Sequence, residues 1–599
     1  MALSPRRGRH RPAPARTRGL RALSLGLAAV TGLGATALFL QYGAADGVQP
    51  VDILRAALIL ASTLWLAWGA AGGLVGLLPR RIDAAPRRPI EGRTAVLVPV
   101  YNEDPVVTFA RVAAMYRSIR EAEPAMQVDF AILSDTRDAA LGRREEFWLE
   151  RLLRETGGEG HIFYRRRAAN TGKKAGNIED FIKTSGAAYD YALILDADSL
   201  MEGATVAEMV RRMEAEPRLG LLQSLPKVVR AQSRFGRAMQ FSASFYSPVF
   251  ARGLAHMQGE TGPFWGHNAL VRMRAFAECC GLPVLSGTPP FGGHILSHDY
   301  VEAALLARGG WEVRLDEDLE GSYEEGPENI VDHAKRDRRW CQGNLQHSRL
   351  LAAPRLRAWS RFVFVQGILS YVAPLFWGGF LLASIADAMA QRQPDYFPEP
   401  YQLFPVFPSD QTTKAIGLAI GIFGLLVLPK LLIVVESAIT GRARGFGGAP
   451  AALRSMLAEL LLSSLIAPLM LMYQSRSVIQ VVLGRDGGWP PNNRGDGTLT
   501  LAEAFAASRF IVMTGAGGMI ATWHFAPALV PWMIPVALPM ILAPVIIART
   551  SRPGRSNAVW AIPAEAREPE LLRLHDSIVE RWSAAAMQPS PDAGGGVYA

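Results

Sequence analysis

Tyr191-Ala-Leu-Ile-Leu-Asp-Ala-Asp198 is a short apolar run that ends on two carboxylates spaced i, i+2. Tyr191–Leu195 has the length and unbroken apolar character of a strand buried on both faces. Asp196 and Asp198 then leave it at the carboxyl end, where ligands sit in open α/β sheets. The same pattern occurs twice upstream. Thr94-Ala-Val-Leu-Val-Pro-Val100 runs into Tyr101–Glu103, and Val128–Leu133 runs into Ser134-Asp135. Between these strands, Val107–Glu121 and Glu145–Arg154 have helical periodicity. Alternating strands and helices imply a parallel sheet with helices on both faces.

Outward from this unit the chain becomes apolar. It has 599 residues, 49% hydrophobic and 20% charged, a net charge of +9 and three cysteines. Its mean hydropathy is +0.12. That is too high for a wholly soluble enzyme and too low for an all-membrane bundle, so the two are combined. So much apolar surface excludes disorder of the whole chain. Cys279, Cys280 and Cys341 read as small buried hydrophobes in a reducing compartment rather than a disulfide framework.

A membrane helix needs about 20 mostly apolar residues. Leu20–Tyr42, Ile53–Leu78, Phe362–Ala386, Ile416–Ile439, Phe510–Phe525 and Leu529–Ala548 meet this requirement. Met456–Leu483 is interrupted by Pro468 and Arg476. It reads as an interfacial or re-entrant helix pair, which leaves six spans, with eight as the alternative. The expected organisation is a disordered basic tail over 1–19, two spans in 20–79 and a soluble domain over 91–350. A membrane region over 351–549 and a tail over 550–599 follow. Arg6, Arg7, Arg9, Arg11, Arg16, Arg18 and Arg21 precede the first span, and Arg80, Arg81, Arg87 and Arg88 follow the second. Arg549, Arg552 and Arg555 follow the last. Basic flanks mark the cytoplasmic side, so the soluble domain and both termini are expected in the cytoplasm. The basic tail is read as a membrane flank and not as a nucleic-acid arm.

The candidate chemistry rests mainly on carboxylates. Asp196 and Asp198 suit Mg2+ or Mn2+ bridging a diphosphate, because hard cations take oxygen ligands and complete their shell with phosphate. Asp135 ends a neighbouring strand, where it would contact a nucleoside or cap a helix. Asn170-Thr-Gly-Lys-Lys-Ala-Gly-Asn177 precedes a helix expected near Ile178. The lysines, Lys173 and Lys174, and the Gly-rich turn there suit an anionic ligand, or form a solvated basic turn. Gly287–His298 is rich in Gly and Pro and leads into Asp299, either a substrate-proximal carboxylate or a helix cap. Arg336 and Arg339 share a helix face beside Trp340. They are placed to clamp a diphosphate and offer a sugar-stacking plane, or to rest a basic helix on anionic headgroups.

Seven motifs then stand in order: Pro99-Val-Tyr-Asn-Glu103, Asp135, Lys174-Ala-Gly-Asn177, Asp196-Ala-Asp198, Gly266-His-Asn268, His298-Asp299 and Arg339-Trp340. Together they resemble the processive family-two inverting glycosyltransferases, which include the cellulose and hyaluronan synthases. Phe291–Asp299, Gly321-Ser-Tyr-Glu-Glu325 and Lys335–Asn344 bring the chain closer to the glucans biosynthesis glucosyltransferase H family of osmoregulated periplasmic glucan synthesis.

The resemblance implies a GT-A-type α/β cytoplasmic domain inserted in a polytopic α-helical protein of the bacterial inner membrane, with six to eight transmembrane helices. It implies UDP-glucose as donor and a growing glucan chain, with a β-1,2 backbone, as acceptor. Tyr101, Glu103 and Asp135 would hold the uridine, with Lys174, Asn177, Asp196, Arg336 and Arg339 on the rest of the nucleotide sugar. Asp198, with Asp196, would hold the metal. Asp299 would be the general base. Trp340, His267, Asn268 and His298 would meet the acceptor. Membrane lipid, a periplasmic glucan-biosynthesis protein and an acyl carrier protein are the further partners. Arg336 stands where the general motif has Gln, and His298 precedes the base where cellulose synthases have Glu. A cellulose-like synthase and a transporter with a nucleotide-sensing domain are the rival readings.

Overall fold

The computed structural model describes residues 12–43, 48–390, 412–486, 497–554 and 559–587. Most of the basic tail (1–11), residues 391–411, Arg555 and the last twelve residues lie outside them.

Two apolar helices open the chain, α1 (Ala15–Gly43) and α2 (Pro50–Gly76). Residues 15–19, expected as disordered tail, are already helical. Arg21 anchors this end to the soluble domain by donating to Met257 O at 2.6 Å and Gln258 O at 3.0 Å. It also stacks 3.8 Å from the Trp359 ring centre.

The α/β domain follows: β1 (Thr94–Val100), α3 (Pro105–Ala122), β2 (Val128–Ser134), α4 (Ala139–Thr156), β3 (Ile162–Arg166), α5 (Lys173–Ser185), β4 (Tyr191–Ile194), β5 (Leu200–Met201), α6 (Gly203–Ala215) and β6 (Leu219–Gln223). It continues through β7 (Lys227–Val229), α7 (Arg234–Phe245), α8 (Ser247–Gln258), β8 (Ala269–Arg272), α9 (Met273–Cys279), α10 (His298–Gly309), β9 (Glu312–Leu315), β10 (Ser322–Glu325) and α11 (Ile330–Gln346). Seven strands form one sheet in the order β3-β2-β1-β4-β8-β6-β9. The expected all-parallel sheet is corrected here, because β8 runs antiparallel to both β4 and β6. A second sheet, β5-β10-β7, stands beside it.

The strand β1 explains the packing. Val96, Val98 and Val100 enter one core with α3, α4 and α6, while Ala95 and Leu97 enter the opposite core with α5, α9 and α10. Period-2 alternation of apolar residues on both faces requires a layer on each. Pro99 is tolerated because β4 pairs with β1 only through Leu97. Past that point the two strands part, and Asp196 emerges at the parting.

The chain then returns to apolar helices: α12 (Ala358–Ala390), α13 (Thr412–Ile439), α14 (Ala449–Val482), α15 (Leu501–Phe525), α16 (Val530–Ile541) and α17 (Ala543–Thr550). By length and apolarity α1, α2, α12, α13, α14 and α15 qualify to cross a membrane, and the α16–α17 pair, bent by 56°, adds a seventh candidate. The stretch expected as a broken helix pair is one continuous helix, α14, running through Pro468. Both of its ends touch the α/β domain. Toward the start, Tyr246 Oη donates to Glu459 at 3.4 Å; toward the end, Gln474 donates to Asp337 at 3.0 Å and Arg338 to Gln480 at 3.3 Å. These contacts set α14 against the α/β domain, and by length and apolarity it stays among the candidate spans of the described residues. Its Glu459 pairs with Lys430 of α13 at 2.6 Å.

The last described segment departs most from expectation. Past α18 (Pro563–Ala566), the supposed tail contains α19 (Glu570–Met587). This helix inserts Leu571, Leu572, Ile578 and Trp582 into the core beside α3 and α4. Trp582 is fully buried and stacks on Trp148, with ring centres 5.2 Å apart. The α/β domain is therefore assembled from two stretches of chain separated by the C-terminal membrane helices.

Candidate active site

Asp196 and Asp198 leave the end of β4, at the gap beside β1. Lys174, one residue into α5, forms an ion pair with Asp196 and donates to Gly266 O at 2.8 Å. Gly266 has φ +84°, a left-handed backbone that suits glycine. A Cβ there would stand 3.6 Å from the Asp299 Cβ and 3.7 Å from its Oδ2. Asp299, Gly266, Lys174 and Asp196, from four stretches far apart in sequence, thus lie side by side. Burial tends to raise the Asp196 pKa, but Lys174, His267 and Arg336 outweigh it and hold the carboxyl well below its ordinary range. Asp196 is a stable anion facing a cationic rim.

Asp299 lies in the first turn of α10. Burial raises its pKa; His298 opposes that rise and Glu302 adds to it. His298 Nδ1 lies 3.0 Å from Glu302 Oε2, one turn along the same helix, and Glu302 is 4% exposed. Burial alone would lower the His298 pKa, but the Glu302 carboxylate raises it above the ordinary imidazole value. His298 therefore sits between two carboxyls, one deep and one at the cleft.

The α11 residues close the opposite side. The Arg336 guanidinium stacks 4.4 Å from the centre of Trp340, which is 44% exposed. Burial and Arg336 both lower the Arg339 pKa, while Asp196 raises it. Tyr101 is exposed at the end of β1, and its amide donates to the Glu103 carboxylate.

Three expected ligand residues are occupied elsewhere. The helix expected near Ile178 starts at Lys173, so Asn177 falls inside α5. It is 1% exposed, donating to Leu133 O at 3.0 Å and accepting from Arg165 at 2.6 Å. Its task is to fasten α5 and β3 to β2. Asn268 is wholly buried and donates to Ser322 Oγ at 2.9 Å and Tyr323 O at 3.3 Å, joining the two sheets. Both carboxamides are buried and engaged by the protein's own groups, the Asn268 Oδ1 lying 3.4 Å from His267 Nδ1. Asp135 does end β2, but Arg167 engages both of its oxygens at 2.7 and 2.8 Å. Arg167 also donates to the Thr171 and Lys173 carbonyls, so this pair shapes the turn that delivers Lys174.

Sequence reasoning gave Glu324 no role, although it lies in the quoted Gly321–Glu325 motif. Its Oε2 is 3.5 Å from His267 Nε2. Burial raises its pKa, with His267 and Arg336 opposing and Asp198 and Asp196 adding to the rise. It is thus a third carboxyl beside the Asp196-Ala-Asp198 loop. Two adjacent acids at the end of a short strand were its available signal.

Among the described residues, no group of three or more His, Cys, Asp or Glu side chains forms a metal cage. Two carboxylates on one loop nevertheless suit a magnesium-type ion, which takes one or two protein oxygens and draws the rest from phosphate and water.

Comparison with known proteins gives the family. Residues 95–280 match glycosyl transferase family 2, and residues 191–406 match glycosyl transferase family group 2. The glucans biosynthesis glucosyltransferase H of Cereibacter sphaeroides is 62% identical over 97% of this chain and 98% of its own. Proteins of that name from Rhodopseudomonas palustris and Vibrio cholerae are 41% and 39% identical over 92% and 82% of this chain, covering 79% and 69% of theirs. Among solved structures, a Pyrobaculum calidifontis mannosyltransferase in complex with GDP-Man and Mn2+ aligns over 65% of this chain and 94% of its own, at 16% identity and a TM-score of 0.42. With its α/β glycosyltransferase domain set between apolar helices, the chain belongs to the glucans biosynthesis glucosyltransferase H family, whose members are family 2 glycosyltransferases.

Proposed function

We propose that this glycosyltransferase of glucan biosynthesis is a processive, inverting enzyme. It takes glucose from UDP-glucose at the cytoplasmic face of a bacterial inner membrane, extends a β-1,2-linked glucan and passes the chain outward between its spans. The observation that carries this reading is the proximity of Asp299 to Gly266, whose carbonyl accepts from Lys174, itself paired with Asp196; it sets a buried carboxyl beside an anion-and-cation site suited to a nucleotide diphosphate.

Inversion needs a single displacement. Asp299 accepts the proton of an acceptor-glucose hydroxyl as that oxygen bonds to the anomeric carbon. The bond from this carbon to the β-phosphate oxygen breaks, and UDP departs with the electron pair. An α-linked donor gives a β-linked product. Lys174, Arg336 and Arg339 supply positive charge around the diphosphate, and Trp340 offers its exposed face to the acceptor sugar. Mg2+ or Mn2+, held by Asp198 and Asp196, would neutralise diphosphate charge when bound. Tyr101 and Glu103 at the end of β1 suit the uridine side of the cleft. The carboxylates Asp196, Asp198 and Asp299, gathered in the α/β domain and not inside the spans, favour this reading over a transporter.

The test is purified protein in lipid vesicles supplied with labelled UDP-glucose. A β-linked polymer should form, linkage analysis should return 1,2 bonds, and chelation of divalent cations should cut the rate at least tenfold. Equal polymer formation with a chelator present, or from another nucleotide sugar in preference, overturns the donor and metal assignments.

The His298–Glu302 pair predicts a pH effect. Asp299 must be ionised to accept a proton, so activity is lost as pH falls through its raised pKa. His298 opposes that rise. His298→Gln should therefore move the acid limb of the kcat/KM profile to higher pH, whereas an unmoved or lowered limb separates His298 from the base.

A further inference from the structure

The small sheet links the C-terminal helix to the Asp196-Ala-Asp198 loop. β5 begins two residues after Asp198 and pairs with β10 through Ser322↔Met201 and Tyr323↔Leu200. β10 pairs on its other edge with β7, ending at Glu325↔Val229. The next residue, Arg230, has φ +63° and turns toward α19. It donates to Asp576 Oδ1 at 2.5 Å and Leu572 O at 2.9 Å, while its Nη1 lies 3.7 Å from Glu325 Oε1. That same Glu325 oxygen accepts from Arg111 Nη2 at 2.6 Å. Arg111 is 2% exposed and its Nη1 donates to Ala197 O at 3.1 Å. His575 of α19 also meets Val107 O at 3.3 Å, fastening α19 to the helix that carries Arg111.

We propose that α19 is a positioning element for the metal–nucleotide loop, acting through Asp576–Arg230–Glu325–Arg111 on the Ala197 carbonyl. Ala197 lies between the two carboxylates, so rotation of its peptide would swing Asp196 and Asp198 together. Outer groups that orient metal ligands commonly change metal affinity 10- to 100-fold when removed. A buried arginine on this peptide is such a group. Asp576 acts one ion pair further out and is about half exposed, so its contribution is smaller. The inference rests on reading Asp196 and Asp198 as the cation and diphosphate site.

The experiment uses full-length protein in lipid nanodiscs and measures Mn2+-dependent binding of UDP alongside thermal unfolding. Arg111→Lys should raise the Mn2+ concentration at half-maximal binding by about tenfold. Asp576→Asn should raise it by about two- to fivefold without lowering the unfolding temperature appreciably, and Asp576→Glu should stay near the parent. Asp198→Asn reports on the site itself and should abolish the Mn2+ response. An Mn2+ midpoint unchanged in folded Asp576→Asn and Arg111→Lys, with the response lost in Asp198→Asn, overturns the positioning role alone. A parental response in Asp198→Asn overturns the site reading and this inference with it.

Discussion

Asp299→Asn is expected to reduce glucan synthesis by about 10²- to 10⁴-fold, the usual contribution of a positioned base. That corresponds to about 3–5 kcal/mol of transition-state stabilisation. The amide fills the same space beside Gly266 and cannot accept the proton. Folding should survive, because the native carboxyl already has its pKa raised by burial and a neutral group suits that place. UDP binding should also persist, since Lys174, Asp196 and the α11 arginines are untouched. The measurement is polymer formed from labelled UDP-glucose, with nucleotide binding measured on the same preparation. Activity within a few-fold of the parent removes Asp299 from the chemistry; loss of both activity and nucleotide binding gives it a binding role.

Trp582→Ala is expected to destabilise the α/β domain by about 3–5 kcal/mol, the range for deleting a buried large aromatic side chain. The residue has no exposed surface, stacks on Trp148 and donates from Nε1 to Glu155 at 2.8 Å. Trp582→Phe keeps much of the apolar contact and gives up the hydrogen bond, so a loss of about 1 kcal/mol is expected. Thermal unfolding of the detergent-solubilised protein distinguishes the two. An alanine variant with the parent's unfolding temperature would mean that α19 contributes no core.

These two residues mark what could and could not be read along the chain. Asp299 drew attention in the sequence because a Gly/Pro-rich loop running into an acid, within an ordered set of motifs, is a local signal, and the structure places it beside Gly266. Apolar strands ending on Tyr101, Asp135 and Asp196 were legible for the same reason: strand length, burial on two faces and the site at the carboxyl ends follow from neighbouring residues. The span positions followed from composition alone, because a bilayer demands long uninterrupted apolar runs. Asn177 and Asn268 are engaged by the protein's own groups, and in sequence a carboxamide beside a motif looks alike whether it faces a ligand or a neighbouring backbone. Only the packing of α5 against β2, and of β8 against β10, separates those cases.

By itself the sequence determined the class of the protein and its division into apolar helices and an α/β unit. The reversal of β8, the course of α14 and the return of α19 into the core were decided by tertiary structure. So was the route from Asp576 to Ala197. Each depends on surfaces that meet across tens to hundreds of residues, and amphipathic periodicity states that a face will be buried without stating against what.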